Sequence, residues 1–139
     1  METSLIHSVE NMRQIISFDG MVFYNTWPSN IDAIREFKNS CWTIIEAKYQ
    51  KSEMPNGQAL MFERLHADLS LVKPTLLIIA SHNTKIGSAV DLKNTTVIKF
   101  KYKNDWVIDG KRKAGDLEEQ FCMWVRRYRT VNNDTFLPK

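Results

Sequence analysis

Hydrophobic positions along the chain recur with two periods, and the switches between them mark the elements. Residues 4–16 set Leu5, Val9, Met12 and Ile16 at helical spacing behind a capping Ser4. Asp19-Gly20 turns the chain, and residues 21–27, "MVFYNTW", are dense in strand formers. After "PSN", residues 31–37 alternate, with Ile31, Ala33 and Phe37 opposing Asp32, Ile34 and Glu36. Residues 38–40, "KNS", then read as a tight turn into a second arm, "CWTIIEAKY". A polar loop carrying Pro55 and Gly57 follows. The helical period returns from Gln58 to Leu71, with Leu60, Met61, Leu65 and Leu69 on one stripe continued by Val72, and Pro74 stops it. "TLLIIAS" is apolar throughout, as in a strand covered on both faces. After an irregular connection, "TTVIKFKYK" alternates Val97, Phe100 and Tyr102 with lysines and reads as an edge strand. "NDWVIDGKRK" reads as a turn region. Residues 114–128 predict an amphipathic helix with Leu117, Phe121, Trp124, Val125 and Tyr128 inward, and residues 129–139 a frayed polar tail.

The predicted order is helix, three strands, helix, strand, strand, helix. A helix joining an alternating strand to a fully apolar one implies an α/β fold: a mixed sheet with helices on both faces. At 139 residues and 43% hydrophobic, the chain is expected to form one domain, residues 1–139, with a full core. The net charge of +3 permits a nucleic-acid partner without demanding one. Cys41 and Cys122 lie in apolar segments and are expected to be buried thiols in a reducing compartment. The N-terminus lacks a basic segment followed by an apolar one, so no signal peptide is expected. The longest apolar run is strand-sized, so the expected location is cytoplasmic, with no membrane partner.

Within this frame the hairpin carries charges where a core is expected. With the turn centred on Asn39, Asp32 stands seven residues before it and Glu46 seven after, so the two carboxylates are cross-strand neighbours. Like charges in that relation are destabilising unless something positive sits between them. A Mg²⁺ ion suits such a pair, because it takes one or two carboxylates and completes its shell with water and phosphate. Lys48, two residues beyond Glu46, shares its face and puts an ammonium beside the ion's position. The competing explanation is a solvated sheet face or an ion pair between Glu46 and Lys48.

Asp32 followed by Glu46-Ala47-Lys48 at the end of the next strand resembles the PD-(D/E)xK nuclease superfamily, in particular its small stand-alone members of the Holliday-junction-resolvase or VRR-NUC kind. The likeness runs from about Ser4 to Asn83 and takes in the hairpin, a helix that opens with Gln58 and the strand "TLLIIASHN". It implies a restriction-endonuclease-like core over about residues 4–83 (helix, three-stranded meander, helix, strand), with an added strand and helix over about 95–129. It further implies a metal-dependent nuclease acting on DNA more readily than RNA, and on structured or branched DNA in particular. By the same resemblance Asp32 and Glu46 hold Mg²⁺ or Mn²⁺ together with the Ala47 backbone carbonyl. Lys48 is the catalytic lysine, Gln58 orients water or phosphate, and Glu10 supplies a first-helix acid. Ile31 stands where the pattern has proline.

Other signals are weaker. His7, His66 and His82 lie on separate elements without ligand spacing, although His82 closes a strand and could edge a site. Ser52 and Ser81 lack a nucleophile-elbow context. Lys51, Lys111, Arg112 and Lys113 are candidate phosphate contacts. Lys99, Lys101 and Lys103, interleaved with Tyr102 and Trp106, form a basic run with stacking groups, and Arg126, Arg127 and Arg129 stand among Trp124 and Tyr128. A nuclease this small often needs a second copy to span a duplex, so monomer and homodimer both stay open. The alternative function is a non-catalytic nucleic-acid-binding or protein-interaction module on the same fold, such as a viral or mobile-element accessory factor.

Overall fold

The all-apolar segment lies at the centre of the sheet. The computed structural model describes residues 16–50, 52–128 and 136–139, in two compact units, one ending at Asn30 and the other spanning Ile31–Lys139. The second unit holds strands β1 (Ala33–Phe37), β2 (Cys41–Tyr49) and β3 (Thr75–His82), with helix α1 (Asn56–Ser70) between β2 and β3. It continues with β4 (Thr96–Tyr102), β5 (Asp105–Ile108) and helix α2 (Ala114–Tyr128). The sheet order is β1-β2-β3-β4-β5, and β2 and β3 are the parallel pair, as a helical crossover requires. The class is therefore α/β, with a five-stranded mixed sheet and two helices.

Side-chain alternation along β3 divides the core in two. Leu76, Ile78 and Ala80 pack with Ile45, Phe100 and the inner face of α2, namely Leu117, Phe121 and Val125. Leu77 and Ile79 point the other way and pack with Ile44 and Phe62 of α1. The buried positions of α1 are Phe62 and His66, while Leu60 and Val72 are exposed. One turn before Phe62 on that same face stands Gln58, which is thereby aimed at the sheet.

Three expectations are corrected. Residues 21–27 do not form a strand, so the expected three-stranded meander is a two-stranded hairpin among the described residues. Tyr24 and Asn25 both take left-handed backbone, at φ 51° and 57°, and Phe23 and Thr26 make an isolated bridge around them. That local reversal, and the exposure of Phe23, Tyr24 and Trp27, override a strand propensity that needs a neighbour to pack on. "DWVI" in the expected turn region is β5, which makes β4 an interior strand and β5 the edge. The end of the tail is docked: Phe136 is buried among Phe100, Tyr102, Phe121 and Trp124. The expected first helix, residues 4–16, lies outside the described residues except for Ile16. No helix among the described residues is long and apolar enough to cross a membrane.

Truncation of Phe136 to Ala is expected to cost about 2–4 kcal/mol in urea unfolding. A frayed tail would make the change nearly neutral.

Candidate active site at the open end of the hairpin

The hairpin turn fixes what faces what. Lys38 and Asn39 sit at φ 48° and 61°, and Ser40 N–H donates to the Phe37 carbonyl at 2.8 Å. The resulting register runs from Phe37↔Cys41 to Ala33↔Ile45. One step further from the turn, just before the first residue of β1, Asp32 faces Glu46. Side chains there take over from the ladder. The Asp32 backbone N–H donates to Glu46 Oε1 at 3.3 Å, and the Ala47 N–H donates to Asp32 Oδ2 at 2.8 Å.

Glu46 shares its face with Ile44, the face covered by α1, and only 4% of it is exposed. A carboxylate buried that deeply must be compensated. Oε2 receives the Lys48 ammonium at 2.9 Å and the Gln58 side-chain N–H at 3.1 Å, while Lys48 also donates to Gln58 Oε1 at 2.6 Å. The three side chains close a ring. Gln58 fits it because its amide turns nitrogen to the carboxylate and oxygen to the ammonium. It reaches them because the crossover brings the first turn of α1 back to the end of β2.

Asp32 is exposed, and its Oδ1 has no hydrogen-bond partner among the described residues. No group of three or more His, Cys, Asp or Glu converges among the described residues. Two facing carboxylates suit a hard cation that completes its shell with water, carbonyl and phosphate oxygens, and do not suit a metal that demands an all-protein cage.

The other candidates are distributed differently. Glu10, His7 and Lys51 lie outside the described residues. Lys111 and Lys113 are exposed. Arg112 braces the C-terminus. Its guanidinium binds the Asp109 carboxylate and reaches the carbonyls of Pro138 at 3.2 Å and Lys139 at 3.4 Å. Burial opposes ionisation of Asp109, but the N–H groups of Arg112, Lys111 and Gly110 and the guanidinium outweigh it and hold its carboxyl well below the usual range. His66 is buried against the Thr75 carbonyl at 3.0 Å, and burial lowers its pKa. His82 pairs with Tyr49, on the face away from Glu46 and Lys48. Cys41 and Cys122 are free and buried, with their sulfurs 3.9 Å apart.

One feature is invisible in the sequence pattern: a cleft of about 740 Å³ beside Lys48, lined also by Phe62, Ile79, Ser81, Lys99 and Trp106. Its far wall belongs to β5, and the strand-forming residues of "DWVI" are the one signal that could have found it. Comparison with protein-family models, curated proteins and solved structures finds no match, so the function of the site is inferred from its residues and geometry.

A double-mutant cycle on Glu46→Gln and Lys48→Met should give a coupling energy of about 1–3 kcal/mol; additive effects would mean that the pair is not held in solution. Asp109→Asn should cost about 1–3 kcal/mol at neutral pH. Because folding depresses this pKa, its stabilisation is complete above the unfolded value of 3.8 and fades as pH falls below it. The variant and the parent should therefore converge in acid, and a gap independent of pH would contradict the assignment.

Proposed function

We propose that the chain is a divalent-metal-dependent nuclease of the PD-(D/E)xK type, hydrolysing phosphodiester bonds in DNA, including structured or branched DNA. One observation carries this reading: the hairpin register sets Asp32 against Glu46 while Lys48 and Gln58 converge on the same carboxylate. An antiparallel hairpin followed by a helical crossover to a parallel strand is compatible with a restriction-endonuclease-like core.

Asp32 and Glu46 would hold Mg²⁺ or Mn²⁺, with the Ala47 carbonyl added by the resemblance. The ion, when bound, neutralises charge on the phosphate and makes an attacking water more acidic. The chain's own side chains do the rest. Lys48 donates hydrogen bonds and can exchange its contact with Gln58 for one to the attacking water or to a phosphate oxygen. Gln58 has both a donor and an acceptor at the same place and keeps the ammonium aimed. Hydrolysis joins the water oxygen to phosphorus, breaks one phosphorus–oxygen ester bond and leaves a phosphomonoester and a free hydroxyl.

A second reading is supported by one feature of the site. Glu46, Lys48 and Gln58 satisfy one another without any ligand, as a non-catalytic nucleic-acid-binding or interaction module on this fold would require.

Incubation with Mg²⁺ or Mn²⁺ and single-stranded, duplex, flap and four-way DNA, with RNA in parallel, separates the two. Cleavage of at least one substrate is expected, reduced about 100-fold or more by Asp32→Ala, Glu46→Gln or Lys48→Ala. Folded protein that cuts none of them, or variants that cut as well as the parent, would refute the nuclease reading.

A further inference from the structure

The cleft beside Lys48 runs across the sheet from β2 toward β5, three strand spacings or about 14 Å. Its floor is Ile79, and Phe62 of α1 forms one wall. At its far side stands Trp106, held in a fixed orientation. The indole N–H donates to Glu63 Oε1 at 2.9 Å, and the same carboxylate oxygen lies 3.6 Å from the Lys101 ammonium. The hydrogen bond from Trp106, with Lys101 nearby, keeps the Glu63 carboxyl below its ordinary range and so ionised.

A break in the ladder equips this wall further. Ile79 pairs with Lys99 but Ala80 pairs with Val97, so Ile98 is an extra residue in β4. Such a bulge re-aims side chains. Here Ile98 packs into the α1-side core while Lys99, opposite Ile79, lies over the Trp106 ring at 4.3 Å from its centroid. Among the described residues no carboxylate is in ion-pair or hydrogen-bond contact with Lys99. Three acids line the cleft, Glu53, Glu63 and Asp109; Glu63 is engaged by Trp106 and Lys101, and Asp109 by Arg112.

A flat, rigid aromatic face under an ammonium that meets no carboxylate among the described residues, in a cleft of nucleotide size that Lys48 also lines, has a definite complement. We propose that the cleft takes an unpaired nucleobase of a single-stranded nucleic acid, stacked on Trp106, with the phosphate of the same nucleotide received by Lys99. The proposal rests on the reading of Asp32, Glu46 and Lys48 as a phosphodiester site and deepens it by naming the substrate class. A base entering over the ring displaces the ammonium, which then turns to the phosphate. A base inside a duplex has both faces covered by its neighbours and cannot enter, so single strands, flaps and unpaired junction nucleotides are selected over continuous duplex.

Binding is measured by fluorescence anisotropy, in EDTA and on the Glu46→Gln background, with short labelled single-stranded DNA, the matching RNA and a duplex of the same length. Trp106→Ala should weaken single-strand binding about ten- to hundredfold, Trp106→Phe should retain most of it, and duplex binding should hardly change. Lys99→Gln should weaken binding several-fold and reduce the salt slope by about one. Tryptophan fluorescence should be quenched by the single strand, with the quench lost in Trp106→Phe. The DNA and RNA arms show which strand is preferred. Circular dichroism checks the fold of each variant, and the Phe and Gln variants carry the test by themselves should Trp106→Ala unfold. Single-strand binding unchanged by Trp106→Ala and Lys99→Gln, or duplex bound more tightly than single strand, would overturn the proposal. Because binding is read without metal, an inactive chain still tests the cleft, and a chain that cleaves but ignores these substitutions rejects the cleft alone.

Discussion

Everything at the open end of the hairpin depends on keeping one buried carboxylate satisfied. Glu46 sits on the inner face of a strand, where an uncompensated charge would cost several kcal/mol. Its partners come from three places in the sequence: the backbone of Asp32, the ammonium of Lys48 and the amide of Gln58. Each arrives by a different structural device. The left-handed pair Lys38-Asn39 sets the register that delivers Asp32, strand alternation delivers Lys48, and the helical crossover delivers Gln58. A one-residue slip of the hairpin would take Asp32 away from Glu46, so the facing of the two carboxylates depends on this register.

The rest of the unit follows from the same crossover. Pairing β2 and β3 in parallel places the ends of both strands, Lys48 and Ser81, side by side, and α1 covers the sheet from its first turn onward. The space left beside the strand ends, between Phe62 of α1 and Trp106 of β5, is the cleft. The opposite face closes with α2 and the docked Phe136 into a core that holds no part of the site. The proposed site is thereby confined to one face and one end of the sheet, while Arg112 and Asp109 tie the last residues down.

Much of this is legible in the sequence where a local rule governs. Counting seven residues either side of Asn39 gives the facing of Asp32 and Glu46, because a tight turn leaves a hairpin little freedom. The uninterrupted apolar run of "TLLIIAS" gives the covered central strand. Long-range effects are not legible. Strand formers in "MVFYNTW" are overruled by two left-handed residues at Tyr24 and Asn25. "DWVI" is too short to separate from the turns around it, so β5 and the placement of Trp106 are lost with it. Phe136 looks like part of a polar tail because its aromatic partners lie far away in sequence. Arg112 looks like a phosphate contact because its partners at the C-terminus and at Asp109 are set by the fold.

The central claim is that Asp32 and Glu46 face each other as the donors for one divalent ion. Calorimetric titration of the metal-free chain with Mn²⁺ tests it most directly. The account predicts one site per chain, abolished by Glu46→Gln and by Asp32→Asn while circular dichroism shows the fold intact. A parent chain that takes up no Mn²⁺, or one whose Mn²⁺ binding survives both substitutions, would contradict it.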